Sequence, residues 1–168
     1  MKLILLTVFT TALNLYCPGQ PQDKLTAKNV ISIEFGGYGG YGSLNYEYQF
    51  KSFNKFKFST RAGIGTYHLK DFTNQFNPDI ILPIGCQVYF GSKHHLELGL
   101  GQTFKSIVIA NKVDYTPSRS IGLSTNLSIG YRYQKDKGGL VMKTAYSPIL
   151  EGNKEYKNWF LLSVGYSY

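Results

Sequence analysis

Cysteine is almost absent from this sequence. One of its two cysteines, Cys17, ends the apolar stretch at the amino terminus, and the other is Cys86. If that stretch is removed, no disulfide can form within the remaining chain, which excludes a disulfide-stabilised secreted fold. Cys86 lies on the apolar face of a predicted strand, where a free thiol behaves as a small hydrophobic side chain.

Long apolar runs are also lacking beyond the amino-terminal stretch. A membrane-spanning helix needs about 20 consecutive apolar residues, so the sequence excludes a helical membrane protein. The mean hydropathy is −0.18 and 17% of the residues are charged. A membrane β-barrel has the same composition, because each strand needs only about 9–11 residues and alternates apolar with polar positions. The 168 residues are enough for one domain.

Clustered charge is a third absence. The formal net charge of +8 comes from 18 basic and 10 acidic residues, but the lysines are scattered through predicted turns and loops. No basic helix or nucleic-acid-binding motif accompanies them, so no nucleic-acid partner is expected. We interpret these lysines as solvated loop residues, and attraction to anionic lipopolysaccharide is the second interpretation.

The amino terminus has the three parts of a secretory signal peptide. Lys2 provides the positive charge, residues 3–15 are apolar, and Cys17-Pro18-Gly19 precede the predicted cleavage before Gln20. We therefore divide the chain into a cleaved signal peptide, 1–19, and one domain, 20–168. Acylation of Cys17 is the alternative, although Tyr16 occupies a position where lipoproteins have a small residue.

Period-2 alternation of apolar and polar residues runs through the remaining chain and predicts strands. Leu44, Tyr46, Tyr48 and Phe50 alternating with polar residues give the clearest example. The eight predicted strands cover 29–37, 43–50, 56–67, 79–90, 95–105, 119–133, 140–148 and 159–168. Within the fourth, Pro83 lacks a ladder donor and suggests a bulge.

The connections alternate in length. Those after strands two, four and six are short, and those after strands three, five and seven are longer, as in bacterial barrels with short periplasmic turns. Residues 36–42 carry five glycines, break this rule and predict a tight or bulged reversal. The apolar connection 106–117 favours an extension of its hairpin over a partner-binding patch. An even strand count places both termini on the periplasmic side.

The two predicted faces differ in a way that favours lipid outside the barrel. The polar face consists mainly of Gly, Ser and Asn and lacks the dense Lys and Glu cover of a soluble surface. The apolar face is rich in aromatic residues, which predict two interfacial girdles. One girdle contains Phe50, Phe56, Phe90, Tyr131, Tyr133, Tyr166 and Tyr168; the other contains Phe35, Phe104, Tyr146 and Phe160. A soluble lipid-binding barrel, with this apolar face inward, is the alternative.

Residues 159–168 end on an aromatic carboxyl terminus and resemble the carboxy-terminal assembly signal of outer-membrane barrels. The residues that carry this resemblance are Phe160, Leu162, Val164, Tyr166 and Tyr168. With the signal segment and the eight alternating strands, they make the chain similar to the small outer-membrane barrels of the OmpA/OmpX type. The resemblance implies an all-β, eight-stranded antiparallel up-and-down transmembrane β-barrel in the outer membrane. It also implies contact with outer-membrane lipid and lipopolysaccharide, delivery by the barrel-assembly machinery, and a monomer.

Charged residues occur on the predicted lumen face and must pair there, because the interior offers little water. The predicted network contains Glu34, Glu47, Arg61, Glu97, Lys105, Arg132 and Lys143, with Lys57 nearby. A salt-bridged interior that fixes the barrel is the favoured interpretation. A narrow, gated path for ions or small solutes is the alternative.

No catalytic residue, cofactor or metal site is predicted. His68 is the residue to inspect for lipid A modification, but a Ser-His-carboxylate spacing is not recognisable. His94 and His95 are adjacent, so their side chains diverge rather than chelate. We therefore expect no enzyme, but a structural or surface-interaction role exercised through the outer loops.

Overall fold

The computed structural model describes residues 27–111, 115–151 and 156–168. One single-turn 3₁₀ helix, Gly37–Gly39, follows the first of the strands. The strands are β1 (Asn29–Gly36), β2 (Gly42–Phe53), β3 (Phe56–Thr66), β4 (Ile80–Gly91), β5 (His94–Ala110), β6 (Pro117–Gln134), β7 (Gly139–Tyr146), β8 (Ile149–Glu151), β9 (Tyr156–Lys157) and β10 (Phe160–Ser167).

The strands form one antiparallel sheet that closes on itself. Each strand from β1 to β7 pairs with the next, β10 pairs with both β7 and β1, and no sheet edge remains around this ring. The ring thus contains eight strands, and the predicted fold class is confirmed. Closure satisfies the backbone hydrogen bonds within the sheet, as a barrel in lipid requires.

The predicted seventh strand is interrupted near Pro148. β6 pairs with β7 as far as Ile129 opposite Tyr146, and with β8 from Asn126 opposite Ile149. Pro148 has no N–H to donate, although its carbonyl accepts from Leu127 N at 3.2 Å. β9 pairs with β8 inside the connection predicted as a polar loop. Residues 152–155 of that connection lie outside the described residues.

The connections give the barrel two different ends. At the short-turn end, two-residue turns join β2 to β3 and β4 to β5, and residues 135–138 join β6 to β7. Asn54, in the first of these turns, has a φ of 53°, which short hairpin turns require. At the opposite, long-loop end, β5 and β6 remain paired as far as Ala110 opposite Pro117. The predicted extension of this hairpin is confirmed for its described part, which omits residues 112–114.

The prediction of a bulge at Pro83 is wrong. Ala62 opposite Ile84 and Gly65 opposite Ile81 keep the same register, and only the pairs between them are missing. The proline therefore interrupts the pairing of β4 with β3 without inserting an extra residue. A register shift occurs instead in β2, between Gln49 and Lys51.

Burial is inverted relative to a soluble barrel. Outward-facing Ile33, Leu100 and Leu162 are 54%, 56% and 55% exposed, whereas polar and charged side chains fill the interior. The soluble alternative, which needs the apolar face inside, is therefore wrong. No helix within the described residues is long and apolar enough to span a membrane. At the long-loop end, Trp159 stacks on Tyr41 with ring centroids 5.8 Å apart.

Candidate functional site in the barrel lumen

Four charged side chains from four strands meet in the half of the lumen nearer the short turns. Arg132 Nη1 donates to Glu47 Oε1 at 2.6 Å and to Glu97 Oε2 at 2.9 Å. Lys143 Nζ donates to Glu47 Oε2 at 2.5 Å and lies 3.8 Å from Glu97 Oε2. Their side chains are at most 4% exposed, so two cations neutralise two carboxylates away from water. We call these four residues the ionic quartet.

Aromatic and amide side chains support the guanidinium of the quartet. It lies over the Tyr89 ring, 4.0 Å from the centroid, and its Nε donates to Gln134 Oε1 at 2.7 Å. Tyr89 Oη in turn donates to Gln49 Oε1 at 2.5 Å. Arginine suits this position because its planar group stacks and makes several hydrogen bonds at the same time. Arg132 is therefore fixed by contacts on several sides.

A second ion pair lies nearer the long loops. Arg61 Nη2 lies 2.8 Å from Glu34 Oε2 and donates to Asn45 Oδ1 at 2.8 Å. Both charged side chains are at most 2% exposed. The Arg61 guanidinium also lies over the ring of Tyr38, 4.8 Å from its centroid. This pair joins the strand network to the connection between β1 and β2.

The centre of that connection, Gly37–Gly39, folds into the lumen instead of projecting outward. Tyr38, in the 3₁₀ turn, is 2% exposed, and its Oη donates to Ser128 Oγ at 2.9 Å. Thr103 Oγ1 donates to the Tyr38 carbonyl at 2.9 Å. Gly36, Gly37 and Gly40 have φ values of 73°, 67° and 83°, which glycine adopts without strain. We call residues 36–42 the inward plug.

Glycines on the facing strands make room for the plug. A Cβ added at Gly99 would lie 2.7 Å from Tyr38 Oη, and one at Gly101 would lie 2.9 Å from Tyr38 Cε2. A Cβ at Gly85 would meet the same ring at 3.3 Å. The glycine content of the lumen face therefore has a steric cause, since the strands leave the volume that one tyrosine occupies.

The seven residues predicted as a lumen network separate into three groups. The quartet and the Arg61 pair contain six of them, and the seventh, Lys105, lies nearer the long loops. Its Nζ is 2.9 Å from Glu151 Oε1, which also accepts from Lys157 at 3.0 Å. Lys57 pairs with Asp136 at the short-turn end. The strand pattern alone could not indicate Glu151 or Asp136, because Glu151 begins the stretch predicted as a polar loop and Asp136 lies in the turn between β6 and β7.

Asp79 braces the long-loop end and was missed as a polar partner. Its Oδ1 accepts from Val108 N at 2.8 Å, and its Oδ2 lies 3.1 Å from His68 Nδ1. The His68 side chain is 66% exposed, and the Asp79 carboxylate is 5% exposed. These contacts join the β3–β4 loop to the extended β5–β6 hairpin.

The β3–β4 loop also has an internal turn centred on Asp71. Its Oδ1 accepts from Thr73 Oγ1 at 2.6 Å and from Thr73 N at 2.9 Å. The hydrogen bond from the Thr73 hydroxyl lowers the pKa of Asp71 below its ordinary value. The loop is therefore ordered by its own side chains at neutral pH.

The two adjacent histidines diverge, as their positions on a strand predict. His94 Nδ1 lies 2.5 Å from Tyr131 Oη on the outer surface, whereas His95 is 1% exposed and contacts Tyr89 in the lumen. Across residues 27–111, 115–151 and 156–168, no group of three or more His, Cys, Asp or Glu side chains could hold a metal ion.

Comparison with solved structures identifies the architecture. The amino-terminal β-barrel domain of Pseudomonas aeruginosa OprF matches with a TM-score of 0.56 and 14% identity, over 84% of this chain and 99% of the domain. The fold is that of a small outer-membrane barrel. Yersinia pestis Ail, complexed with the heparin analogue sucrose octasulfate, matches with a TM-score of 0.51 and 10% identity over 84% and 97% of the two chains.

Ail determined in a phospholipid bilayer nanodisc gives a TM-score of 0.50 and 14% identity, over 84% of this chain and 99% of that one. No protein-family profile and no curated protein sequence matches this chain. At these identities the likeness establishes the fold of the small outer-membrane barrel and leaves the activity to be argued from the residues.

Proposed function

We propose that this chain is an integral outer-membrane protein with a closed lumen and a structural or surface-interaction role exercised through its long-loop end. The observation that carries the proposal is the inverted burial. A belt of exposed apolar side chains surrounds an interior where three carboxylates face three cations. Only lipid around the barrel makes the apolar belt favourable, and only close pairing makes the buried charges tolerable.

The closed lumen is supported by the arrangement of the plug and the quartet. Tyr38 occupies the half nearer the long loops, and the quartet occupies the half nearer the short turns. An eight-stranded barrel has room for side chains but hardly for a pore. We therefore favour a structural interior over the ion path that the same residues would line.

A surface role is supported by the long-loop end. The β5–β6 hairpin continues four residue pairs beyond Ile80, the first residue of β4. Tyr115, in the loop of this hairpin, is 75% exposed, and Ile121, level with Ile80, is 86% exposed. Phe76, in the β3–β4 loop, is 76% exposed. Exposed loops on a rigid scaffold are the usual place for recognition in such proteins.

Semi-native electrophoresis of the outer-membrane fraction tests the architecture. A folded barrel resists detergent, so we expect the unboiled protein to migrate differently from the boiled protein. In planar bilayers the folded wild type should show no discrete conductance. Recovery as a soluble protein without a mobility shift would overturn the membrane proposal, and conductance that disappears in Arg61→Gln would replace the closed lumen with a channel.

Cysteine labelling tests which end faces the cell exterior. In a Cys86→Ala background, we expect Phe76→Cys to react with a membrane-impermeant maleimide on intact cells. Ser92→Cys, at the short-turn end, should react only after the outer membrane is permeabilised. Labelling of Ser92→Cys alone on intact cells would reverse the orientation and contradict a surface role for the long loops.

A further inference from the structure

The excess positive charge of the described chain is concentrated at one end of the barrel. Charges in the lumen balance, and at the long-loop end four basic side chains (Lys70, Lys105, Arg119 and Lys157) accompany the acidic Asp71, Asp79 and Glu151. The short-turn end has only one acidic side chain within the described residues, Asp136, which Lys57 engages. Six exposed lysines define what we call the short-turn rim: Lys28, Lys51, Lys55, Lys93, Lys135 and Lys137.

Four of these lysines have hydrogen-bonded backbones, and none of the six ammonium groups forms an ion pair with another described residue. The carbonyls of Lys28, Lys55, Lys93 and Lys135 accept backbone hydrogen bonds of 2.8 to 3.1 Å, which hold the start of β1 and the turns in place. No carboxylate of the described residues lies within ion-pair distance of any of the six ammonium groups. The rim therefore presents ordered attachment points whose charges no described carboxylate neutralises.

The rim surrounds the barrel rather than forming a patch on one side. Its lysines come from the residue before β1, the end of β2 and the turns β2–β3, β4–β5 and β6–β7, which are distributed around the ring of strands. A ring of charge at one height is suited to a planar partner that surrounds the barrel.

Aromatic side chains set the depth of this ring. Lys51 follows Phe50, Lys55 precedes Phe56, and the rings of Phe56 and Phe90 are in contact with centroids 4.8 Å apart. All three phenylalanines are outward-facing and about half exposed. Aromatic residues of membrane proteins concentrate at the boundary between acyl chains and headgroups, so the neighbouring ammonium groups reach the headgroup layer.

We propose that the short-turn rim binds the phosphate groups of anionic phospholipids in the leaflet that faces the short turns, and so enriches those lipids around the barrel. The proposal rests on the membrane insertion argued above. Lysine side chains near a membrane surface attract anionic lipid, and the attraction is confined to about a Debye length. The long-loop end, where the described side chains carry a net charge of only +1, should show no comparable preference.

Spin-labelled lipids provide the test. The refolded full chain is reconstituted in phosphatidylcholine bilayers that contain a trace of spin-labelled phosphatidylglycerol or phosphatidylcholine. Electron spin resonance then gives the relative association of the two lipids with the barrel. At low salt we expect wild type to prefer phosphatidylglycerol over phosphatidylcholine roughly twofold to fivefold. At about 0.5 M salt the preference should be much smaller, because salt at this concentration screens exposed charges.

Matched variants locate the preference on the rim. Replacing all six lysines with glutamine should lower the ratio of phosphatidylglycerol to phosphatidylcholine association to about one. Lys51→Gln/Lys55→Gln should remove part of the preference. The control Lys70→Gln/Lys157→Gln removes the same amount of charge from the long-loop end and should leave the ratio unchanged. If the sixfold variant does not fold, the two double variants still decide.

Three results would overturn the proposal: a folded wild type without a preference, rim variants that keep the wild-type ratio, or an equal loss in the control. The heat-modifiable band, checked on each sample, separates the two levels of argument. A wild type that does not insert contradicts the proposed membrane function, whereas an inserted wild type without lipid preference contradicts only the role of the rim.

Discussion

Neighbouring residues on the same strand occupy opposite environments in this barrel. On β5, Glu97 is 4% exposed and bonded to Arg132, whereas the next residue, Leu98, is 46% exposed on the outer surface. On β6, Arg132 is 0% exposed beside Tyr131 at 44%. The outer face needs only apolar side chains, since lipid accepts many shapes. The lumen needs specific partners, because a charge left alone there has nothing to replace water.

Among the changes that test this contrast between lumen and outer face, removal of Arg132 should have the largest effect on the free energy of unfolding. Arg132→Met would leave the carboxylates of Glu47 and Glu97 to Lys143 alone, and we expect a loss of about 3–5 kcal/mol in the free energy of unfolding. Urea titration of the bilayer-inserted barrel, followed by the electrophoretic shift, measures it. The outward control Leu127→Met, on the same strand, should stay within about 0.5 kcal/mol. A loss as small as the control's would show that water solvates the quartet.

A charge on the outer face tests the opposite side of the comparison. Leu100→Lys, 56% exposed near the middle of the apolar belt, should lower the free energy of unfolding by about 2–4 kcal/mol in a bilayer. Leu96→Lys, nearer the short turns, should cost only about 0–1 kcal/mol. Equal costs at both depths would contradict a lipid environment for the belt.

Overpacking the lumen should have an intermediate effect. A side chain at Gly99 would collide with Tyr38 Oη and Ser128 Oγ, so Gly99→Val should cost about 1–3 kcal/mol. In a Tyr38→Ala background the same substitution should cost clearly less, because the collision with the Tyr38 hydroxyl is removed. Gly42→Ala, whose Cβ meets nothing within 4 Å, is the control. Additive costs would mean that the plug does not fill this space.

Deletion of one hydroxyl in the plug is the smallest change. Tyr38→Phe removes the hydrogen bond to Ser128 and should lower the free energy of unfolding by about 0.5–1.5 kcal/mol. Tyr166→Phe, with its ring 62% exposed on the outer surface, should have almost no effect. The same urea titration compares them, and an equal loss in both variants would remove the distinction between lumen and surface.

The sequence predicted the strands and their faces because alternation is a local property. Ile31, Ile33 and Phe35 must point outward together once β1 is extended, wherever the other strands lie. The lumen residues follow from the same alternation, so Glu47 and Arg132 could be placed inside the barrel before any contact was known. Their pairing could not, because the residues are 85 positions apart and meet only after closure.

The inward plug shows where local reasoning fails. Residues 36–42 predict a reversal, but their inward direction depends on space left by Gly85, Gly99 and Gly101 on distant strands. The two prolines give a similar lesson. The seventh strand is interrupted near Pro148, whereas the register at Pro83 is unbroken, and the difference depends on the strand that lies opposite each missing N–H. In each case the residue type was informative, and the outcome was decided by tertiary neighbours.

The pairing of β1 with β10 also determines when the barrel can form. Asn29 N donates to the Tyr168 carbonyl at 3.0 Å, and Tyr168 N donates to the Asn29 carbonyl at 2.9 Å, across 139 positions of sequence. Contacts between residues so far apart in sequence slow folding, because the loss of chain entropy on closing a long loop precedes the stabilisation that the contacts provide. Until this seam closes, β1 and β10 each expose an unpaired edge at which another chain can add a strand, so closure also protects the chain against aggregation.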